Sequence, residues 1–252
     1  MTEANSAPLI SIITIVYNDE NSVENTIISV LSKKTDDIEY IIIDGASTDR
    51  TPDIINKYAS QIDLIISEKD GGISDAFNKG IANANGSWLL FLNSGDLFAE
   101  SISIDSVKKR LKQNPNHLVC FYKVMLSNAA HTMPTEALIK KGKDFIVALA
   151  EIPHQGAFIQ KDCFKKYGGF SPFFRLRMDY EFFARLSRFP EKIVFVDEVL
   201  AIYLVGGRSG QLSNFETFLW EGVLVKNRYK IKVTLKEVLR FTYYSLRNYL
   251  RS

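Results

Sequence analysis

Cysteine and histidine are scarce in this chain: two cysteines, Cys120 and Cys163, and three histidines among 252 residues. No CxxC spacing occurs, which argues against a disulfide or zinc framework and for reduced thiols in a cytoplasmic protein. Charge of one sign is also lacking. The balance of 31 basic against 29 acidic residues leaves a net charge of +2, so no global electrostatic case for nucleic acid exists. No apolar run approaches the roughly 18 residues of a membrane-spanning helix. The opening MTEANSAPLISIITIVYN has no basic n-region and reaches a short apolar run late, so no signal peptide is expected, and residues 1–7 are expected to be disordered. Internal repeats and low-complexity tracts are absent. What is left is an ordinary globular composition, 46% hydrophobic and 24% charged, enough for one substantial α/β domain with an appendage.

Apolar runs supply the framework. Leu9–Val16, Tyr40–Ile43, Leu64–Ser67 and Trp88–Leu92 are rich in Ile, Leu, Val or aromatics with little alternation, the pattern of strands covered on both faces. Between them, Ser22–Ser32, the segment after Thr51-Pro52 and Ser74–Asn83 carry apolar residues at helical spacing; Pro52 at the start of its helix is a favourable entry signal. The order β-α-β-α-β-α-β predicts a doubly wound, mainly parallel sheet flanked by helices. Further on, the pattern predicts a helix over Ile104–Gln113, a strand near Leu118–Val124, a helix over Lys143–Ala150, a short strand over Gly156–Gln160 and a helix over Asp162–Tyr167. A helix over Asp179–Phe189 and one or two short strands in Lys192–Ala201 follow.

Ligands of such sheets collect beyond the carboxyl ends of the strands. Four successive strands deliver acids or amides there: Tyr17-Asn18, Asp44, Glu68 with Asp70, and Asn93 with Asp96. A polar residue after a strand is commonly a helix cap, so each alone says little; the repetition points to a site. The run LLFLNSGD (residues 89–96) poses the question sharply, because four large apolar residues lead directly to a lone carboxylate on a glycine turn.

These residues resemble the family 2 glycosyltransferases of GT-A fold, nucleotide-sugar-dependent enzymes of bacterial surface-polysaccharide assembly. The segments LISIITIVYNDENSVENTIISVL, IIIDGASTDRT and SEKDGGISDAFNKGIANANGSWLLFLNSGD carry the resemblance, with HQGAFIQ, LRMDYEFFARL and VGGRSG following in the expected order over about residues 8–215. The resemblance implies a hexosyltransferase-type enzyme with a nucleotide-sugar donor, a UDP-sugar favoured, and a glycan or lipid-linked acceptor. Residues 8–100 would form the nucleotide-sugar half and 101–226 the acceptor half of one domain. Tyr17 would lie by the base, Asp44 would contact the uracil or ribose, and Asp75, Asn78 and Lys79 would begin a helix near the nucleotide, Lys79 lending charge to the diphosphate. His154, Asn93 and Arg208, the last in a Gly-Gly-Arg-Ser loop, would also face the donor.

The resemblance further implies a divalent cation, Mn²⁺ or Mg²⁺, at Asp96. Two departures bear on that. The first acid of the DxD-type motif is here the amide Asn93, and Gly45 stands where the wider family often has a second Asp. One carboxylate plus substrate phosphates is sufficient for Mg²⁺, which keeps several waters, but makes no tight site in the free protein. The implied catalytic base is Asp179, with Glu181 as the alternative; Asp179 at a helix start is also a natural cap. A nucleotidyltransferase is a competing expectation, though YNDEN after the first strand is neither Gly-rich nor basic, and a non-catalytic scaffold is another. Residues 227–252 hold seven Lys/Arg against Glu237 alone, with Leu235, Val238, Leu239, Leu246 and Leu250 along one helical side. This predicts a basic amphipathic tail, suited either to the inner face of the plasma membrane or to packing on its own domain or on a second subunit.

Overall fold

The computed structural model describes residues 7–126, 132–133, 153–204 and 214–231. Four helices and five strands fill the first part: β1 Ile10–Val16, α1 Val23–Leu31, β2 Ile38–Asp44, α2 Thr51–Lys57, β3 Leu64–Ser67, α3 Ile73–Asn83, β4 Trp88–Phe91, β5 Leu97–Phe98 and α4 Ile104–Gln113. The second part contributes β6 Val119–Leu126, β7 Thr132–Met133, β8 Ala157–Gln160, α5 Lys161–Tyr167, α6 Met178–Leu186, β9 Ile193–Tyr203 and α7 Phe215–Arg228.

One sheet runs through both parts in the order β3-β2-β1-β4-β8-β6-β9-β5, with β7 paired to β6. Its first four strands are parallel. Strand β8 then enters antiparallel to both β4 and β6, while β6 and β9 pair in parallel, so the sheet is mixed with its longest pairings parallel. The apolar runs fill its two faces. Ile13, Ile41, Ile43, Leu89 and Phe91 point to one core with Phe77 of α3, and Phe170 and Phe182 join them there. Ile10, Ile12, Tyr40, Ile42 and Leu90 point to the other, with Val23, Ile27 and Val30 of α1. Double coverage explains why these strands read as continuous apolar runs instead of alternating ones.

Several expectations are corrected. The segment Lys192–Ala201 is one continuous strand, β9, held by β6 along its length with a register shift near Lys123. The helix expected over Asp179–Phe189 ends at Leu186, because Pro190 four residues later starts a separate 3₁₀ turn. The boundary expected at 226/227 falls inside α7, which continues to Arg228. Beyond it Lys230 adopts a left-handed φ of 56°, Ile231 N–H returns to the Lys226 carbonyl at 2.7 Å and Ile231 is buried. The start of the basic segment is therefore packed on the domain. The helix expected over Lys143–Ala150, residues 1–6, the Arg208 loop and residues 232–252 lie outside the described residues. Among those described, no helix is long and apolar enough to cross a membrane.

The chain beyond β4 is stitched to its neighbours. Leu92 N–H reaches the Ile13 carbonyl and Ser94 N–H the Ile15 carbonyl, at 3.0 and 3.1 Å. Thr26 of α1 accepts from Gly95 N–H at 2.9 Å and donates to the Asp96 carbonyl at 2.9 Å. Gly95 has a φ of +93°, and a Cβ there would meet the Leu204 side chain at 2.7 Å, so this turn requires glycine. Thr26→Val keeps the shape but leaves a buried N–H and carbonyl unpaired. A loss of about 1–3 kcal/mol is expected in chemical denaturation, and an unchanged midpoint would show that the hydroxyl does not hold the turn.

Candidate active site

The tip of β4 forms the centre of the site. Asp96 is only 2% exposed, and its carboxylate accepts three N–H groups: Gln155 Nε2 at 2.9 Å, Asn93 backbone at 3.2 Å and Leu204 backbone at 3.3 Å. Asn93 in turn presents Nδ2 to His154 Nε2 at 3.0 Å, and His154 Nδ1 meets Asp179 Oδ2 at 3.1 Å. This geometry assigns the neutral tautomer, with Nδ1–H donating to Asp179 and Nε2 accepting from the amide. An edge contact with Phe77, centroids 5.3 Å apart, fixes the ring. Asp179 Oδ1 accepts from Tyr180 N–H at 2.7 Å, while its side chain stays 22% exposed. A continuous line of polar contacts thus joins Asp96, buried at the end of β4, to Asp179, open at the start of α6.

The electrostatics of this line are uneven. Burial pushes Asp96 up to about 6, against the hydrogen bonds from Gln155 and from the Leu204 and Asn93 backbone amides, which act in the opposite direction. Two amide oxygens beside it, Asn93 Oδ1 and Gln155 Oε1, are buried without a hydrogen-bond partner. Orphaned oxygens next to a desolvated carboxylate make a hard donor set, chemically suited to Mg²⁺ or Mn²⁺. Among the described residues no cluster of three or more His, Cys, Asp or Glu could hold a metal, so any ion here needs phosphate and water to complete its shell.

The other expected residues sit along the same sheet edge but are engaged differently. Asp44 is fully buried; it accepts from Ser47 Oγ at 2.5 Å and Ser67 Oγ at 2.6 Å, tying the end of β2 to β3. Tyr17 is 50% exposed and lies across Gly45 from Asp70, since a Cβ on Gly45 would stand 3.3 Å from the Tyr17 ring and 2.6 Å from Asp70 Oδ2. Asp75 accepts from Gly71 N–H at 2.9 Å. Lys79 bridges Glu68 at 2.9 Å and Asp75 at 3.6 Å and donates to the Lys69 carbonyl; the Glu68 contact raises its pKa. Asn78 uses both ends of its amide on the Phe170 backbone, at 2.8 and 2.9 Å. Asn78 and Lys79, expected at the nucleotide, are thus engaged with neighbouring protein groups.

Glu181 is 1% exposed, paired with Arg185 at 2.8 Å and accepting from Tyr229 Oη at 2.5 Å, so it belongs to the packing of α6. Sequence reasoning missed Gln155 as a site residue. The signal available was its place beside His154 before β8, which sets successive side chains of one tight turn toward Asp179 and Asp96.

The buried Asp96 carboxyl carries a stability signature. Its folded pKa lies above the value of about 3.9 for a free Asp, so the stabilisation it offers is complete below that value and is lost as pH rises through about 6. The ionised form costs on the order of 2–3 kcal/mol. Melting of the apo protein is expected to shift upward between pH 7.5 and 5.5, with a smaller shift in Asp96→Asn. Equal shifts in both proteins would show that Asp96 does not carry this term.

Comparison with known proteins places this geometry in context. A family model described as Glycosyl transferase family 2 matches residues 11–167. An uncharacterized glycosyltransferase of Mycobacterium tuberculosis is 32% identical over 186 residues, 72% of this chain and 70% of the relative. A PGL/p-HBAD biosynthesis glycosyltransferase of Mycobacterium bovis is 28% identical over 83% of this chain and 80% of its own length. Among solved structures, S. aureus TarS in complex with UDP superposes with a TM-score of 0.64 at 19% identity, covering 84% of this chain and 64% of that one. A mannosyltransferase from Pyrobaculum calidifontis, in complex with GDP-Man and Mn²⁺, gives 0.66 at 15% identity over 95% of this chain and 69% of that one. At these identities the structural likeness is one of fold.

Proposed function

The chain belongs to glycosyltransferase family 2, and on that premise we propose that it is an inverting transferase. It moves a sugar from a nucleoside-diphosphate donor, a UDP-sugar by preference, to a hydroxyl of a glycan or a lipid-linked oligosaccharide in surface-polysaccharide assembly. The observation that carries this reading is the polar line from Asp96 through Asn93 and His154 to Asp179. It sets a buried oxygen donor site and an open carboxylate at the two ends of one short path, as an in-line displacement requires. UDP is preferred because TarS was crystallised with UDP; the GDP-Man complex of the mannosyltransferase keeps GDP in the test. The name of the mycobacterial relative, a PGL/p-HBAD biosynthesis glycosyltransferase, supports a biosynthetic role for the transfer. A chain acting on a lipid-linked acceptor would work at the inner face of the plasma membrane, with residues 232–252 as its membrane contact.

Asp179 takes the proton of the attacking hydroxyl. The new C–O bond forms at the anomeric carbon as the bond to the diphosphate oxygen breaks, the electron pair leaving with the diphosphate. General-base help of this kind accounts for about 10²–10⁴ in rate. His154, donating from Nδ1, holds Oδ2 of Asp179 in place, and Tyr180 N–H holds Oδ1. Asp96, with the Asn93 and Gln155 amide oxygens, would hold a divalent cation, which neutralises charge on the leaving diphosphate. Tyr17 and Asp70 flank the base side of the donor, and Asp44 with Asp75 shapes the loops beneath it. The role of Arg208 toward the diphosphate rests on the family resemblance alone.

Calorimetric titration with UDP, GDP, dTDP and CMP, each with and without Mn²⁺, tests the donor reading. One diphosphate is expected to bind at least tenfold more tightly with Mn²⁺, and Asp96→Ala is expected to abolish that gain. Asp179→Asn is expected to bind the same nucleotide normally while losing about 10²–10⁴ in turnover. Binding indifferent to metal and to Asp96→Ala would reduce the LNSGD tip to a turn and leave a metal-independent transferase. Absence of binding by all four nucleotides would favour a glycosyltransferase-like scaffold, the reading that the single-acid motif also suits.

A further inference from the structure

Helix α7 lies beyond the residues matched by the family model, yet it places one buried carboxylate against the entry to α6. Glu221 is 4% exposed. Its Oε1 accepts from Arg175 N–H at 2.7 Å, and its Oε2 accepts from Leu176 and Arg177 N–H, both at 2.9 Å. These are three successive backbone donors, and they end at Arg177, the N-cap of α6. Two residues later stands Asp179. A carboxylate held by several N–H groups in a row is a strong, directional anchor, because each bond is charge-assisted and the three together fix the path of the backbone. Glu221 also places negative charge at the positive end of the α6 dipole.

The surrounding contacts hold the same junction. The Arg177 guanidinium stacks over Phe218 of α7, 3.7 Å from the ring centroid, and lies 5.2 Å from the Tyr180 ring on α6. A Cβ on Gly222 would approach that guanidinium to 3.3 Å, so the residue after Glu221 is small where Arg177 passes. At the far end of α7, Tyr229 Oη reaches Glu181 of α6 at 2.5 Å. Helix α7 therefore grips α6 at two points, and Glu221 is the one that meets the turn bearing Asp179.

We propose that Glu221 is a positioning residue for the transfer reaction: its carboxylate, by holding the 175–177 backbone, sets where the Asp179 carboxylate meets the acceptor hydroxyl. The role rests on the reading of Asp179 as the base. Glu221 accepts from all three of these amides, so removing its carboxylate takes three hydrogen bonds from the turn at once. A displacement of about 1 Å at a reacting group can cost on the order of 10²-fold in rate.

The test uses the full chain with UDP-glucose, UDP-galactose and UDP-GlcNAc, following UDP release with water as the acceptor, well below the melting temperature of every variant. Glu221→Gln keeps the shape and offers one accepting oxygen in place of two. It is expected to lower kcat about 10- to 100-fold with donor KM within about twofold, while hydrogen exchange quickens at the amides of 175–177. In the Asp179→Asn background the same change is expected to cost less than about twofold, since a positioning residue has nothing left to position. An equal loss in both backgrounds would overturn the proposal, as would unchanged kcat or unchanged amide protection in Glu221→Gln. Normal turnover by Asp179→Asn, or no turnover of any donor by the unmodified chain, would instead remove the base reading, and Glu221 with it.

Discussion

The burial of the Asp96 carboxylate constrains everything around it. A carboxylate taken out of water must be met by donors or lose its charge, and the fold supplies those donors from three distant places. They come from the β4 tip, from the turn before β8 and from the end of β9. The sheet order follows the same requirement. By inserting β8 between β4 and β6, the chain brings Gln155 and His154 beside the end of β4, and the β5–β9 pairing brings Leu204 over it. A sheet that continued in parallel beyond β4 would place helices and crossovers where these donors now stand.

The same residues that satisfy Asp96 carry its influence outward. Asn93 contacts Asp96 through its backbone and His154 through its side chain, so the amide that replaces an acid in this motif serves as a connector. An Asp at position 93 would offer His154 Nε2 an acceptor, and would favour the protonated or the opposite tautomer of the ring. With the amide, Nδ1–H stays directed at Asp179. The single-acid motif and the neutral histidine are thus one arrangement. It leaves the Asp179 carboxylate as the group that is both held and open to solvent.

Around this centre the chain uses polar side chains as brackets between backbone segments. Asn78 holds Phe170, Arg185 holds the carbonyls of residues 167–169, Thr26 holds the Gly95 turn, and Glu221 holds residues 175–177. Each satisfies buried backbone groups that no strand or helix could pair, which is the general requirement for irregular chain inside a fold. The turns at Gly95, Phe170 and residues 175–177 are held in this way, and Asn78, a ligand-binding candidate in the sequence, takes part through its hydrogen bonds to Phe170.

The sequence alone determined the framework. Unalternating apolar runs could only be strands buried on both faces, and their separation by helical periods required parallel crossovers, so β1 to β4 and α1 to α3 were legible from Leu9 to Leu92. The motif segments were equally local, and Asp96, Asp179 and His154 stood out in them. What the tertiary structure decided was how these residues are employed. Whether Asn78 and Lys79 face a ligand or a neighbouring loop depends on segments about 10 to 92 positions away in the chain, and Gln155 acquires its place only when β8 pairs with β4. The mixed half of the sheet and the course of α7 past residue 226 were hidden for the same reason. Local periodicity records which face a residue turns inward, while partners across the sheet are chosen by packing between segments that the sequence keeps far apart.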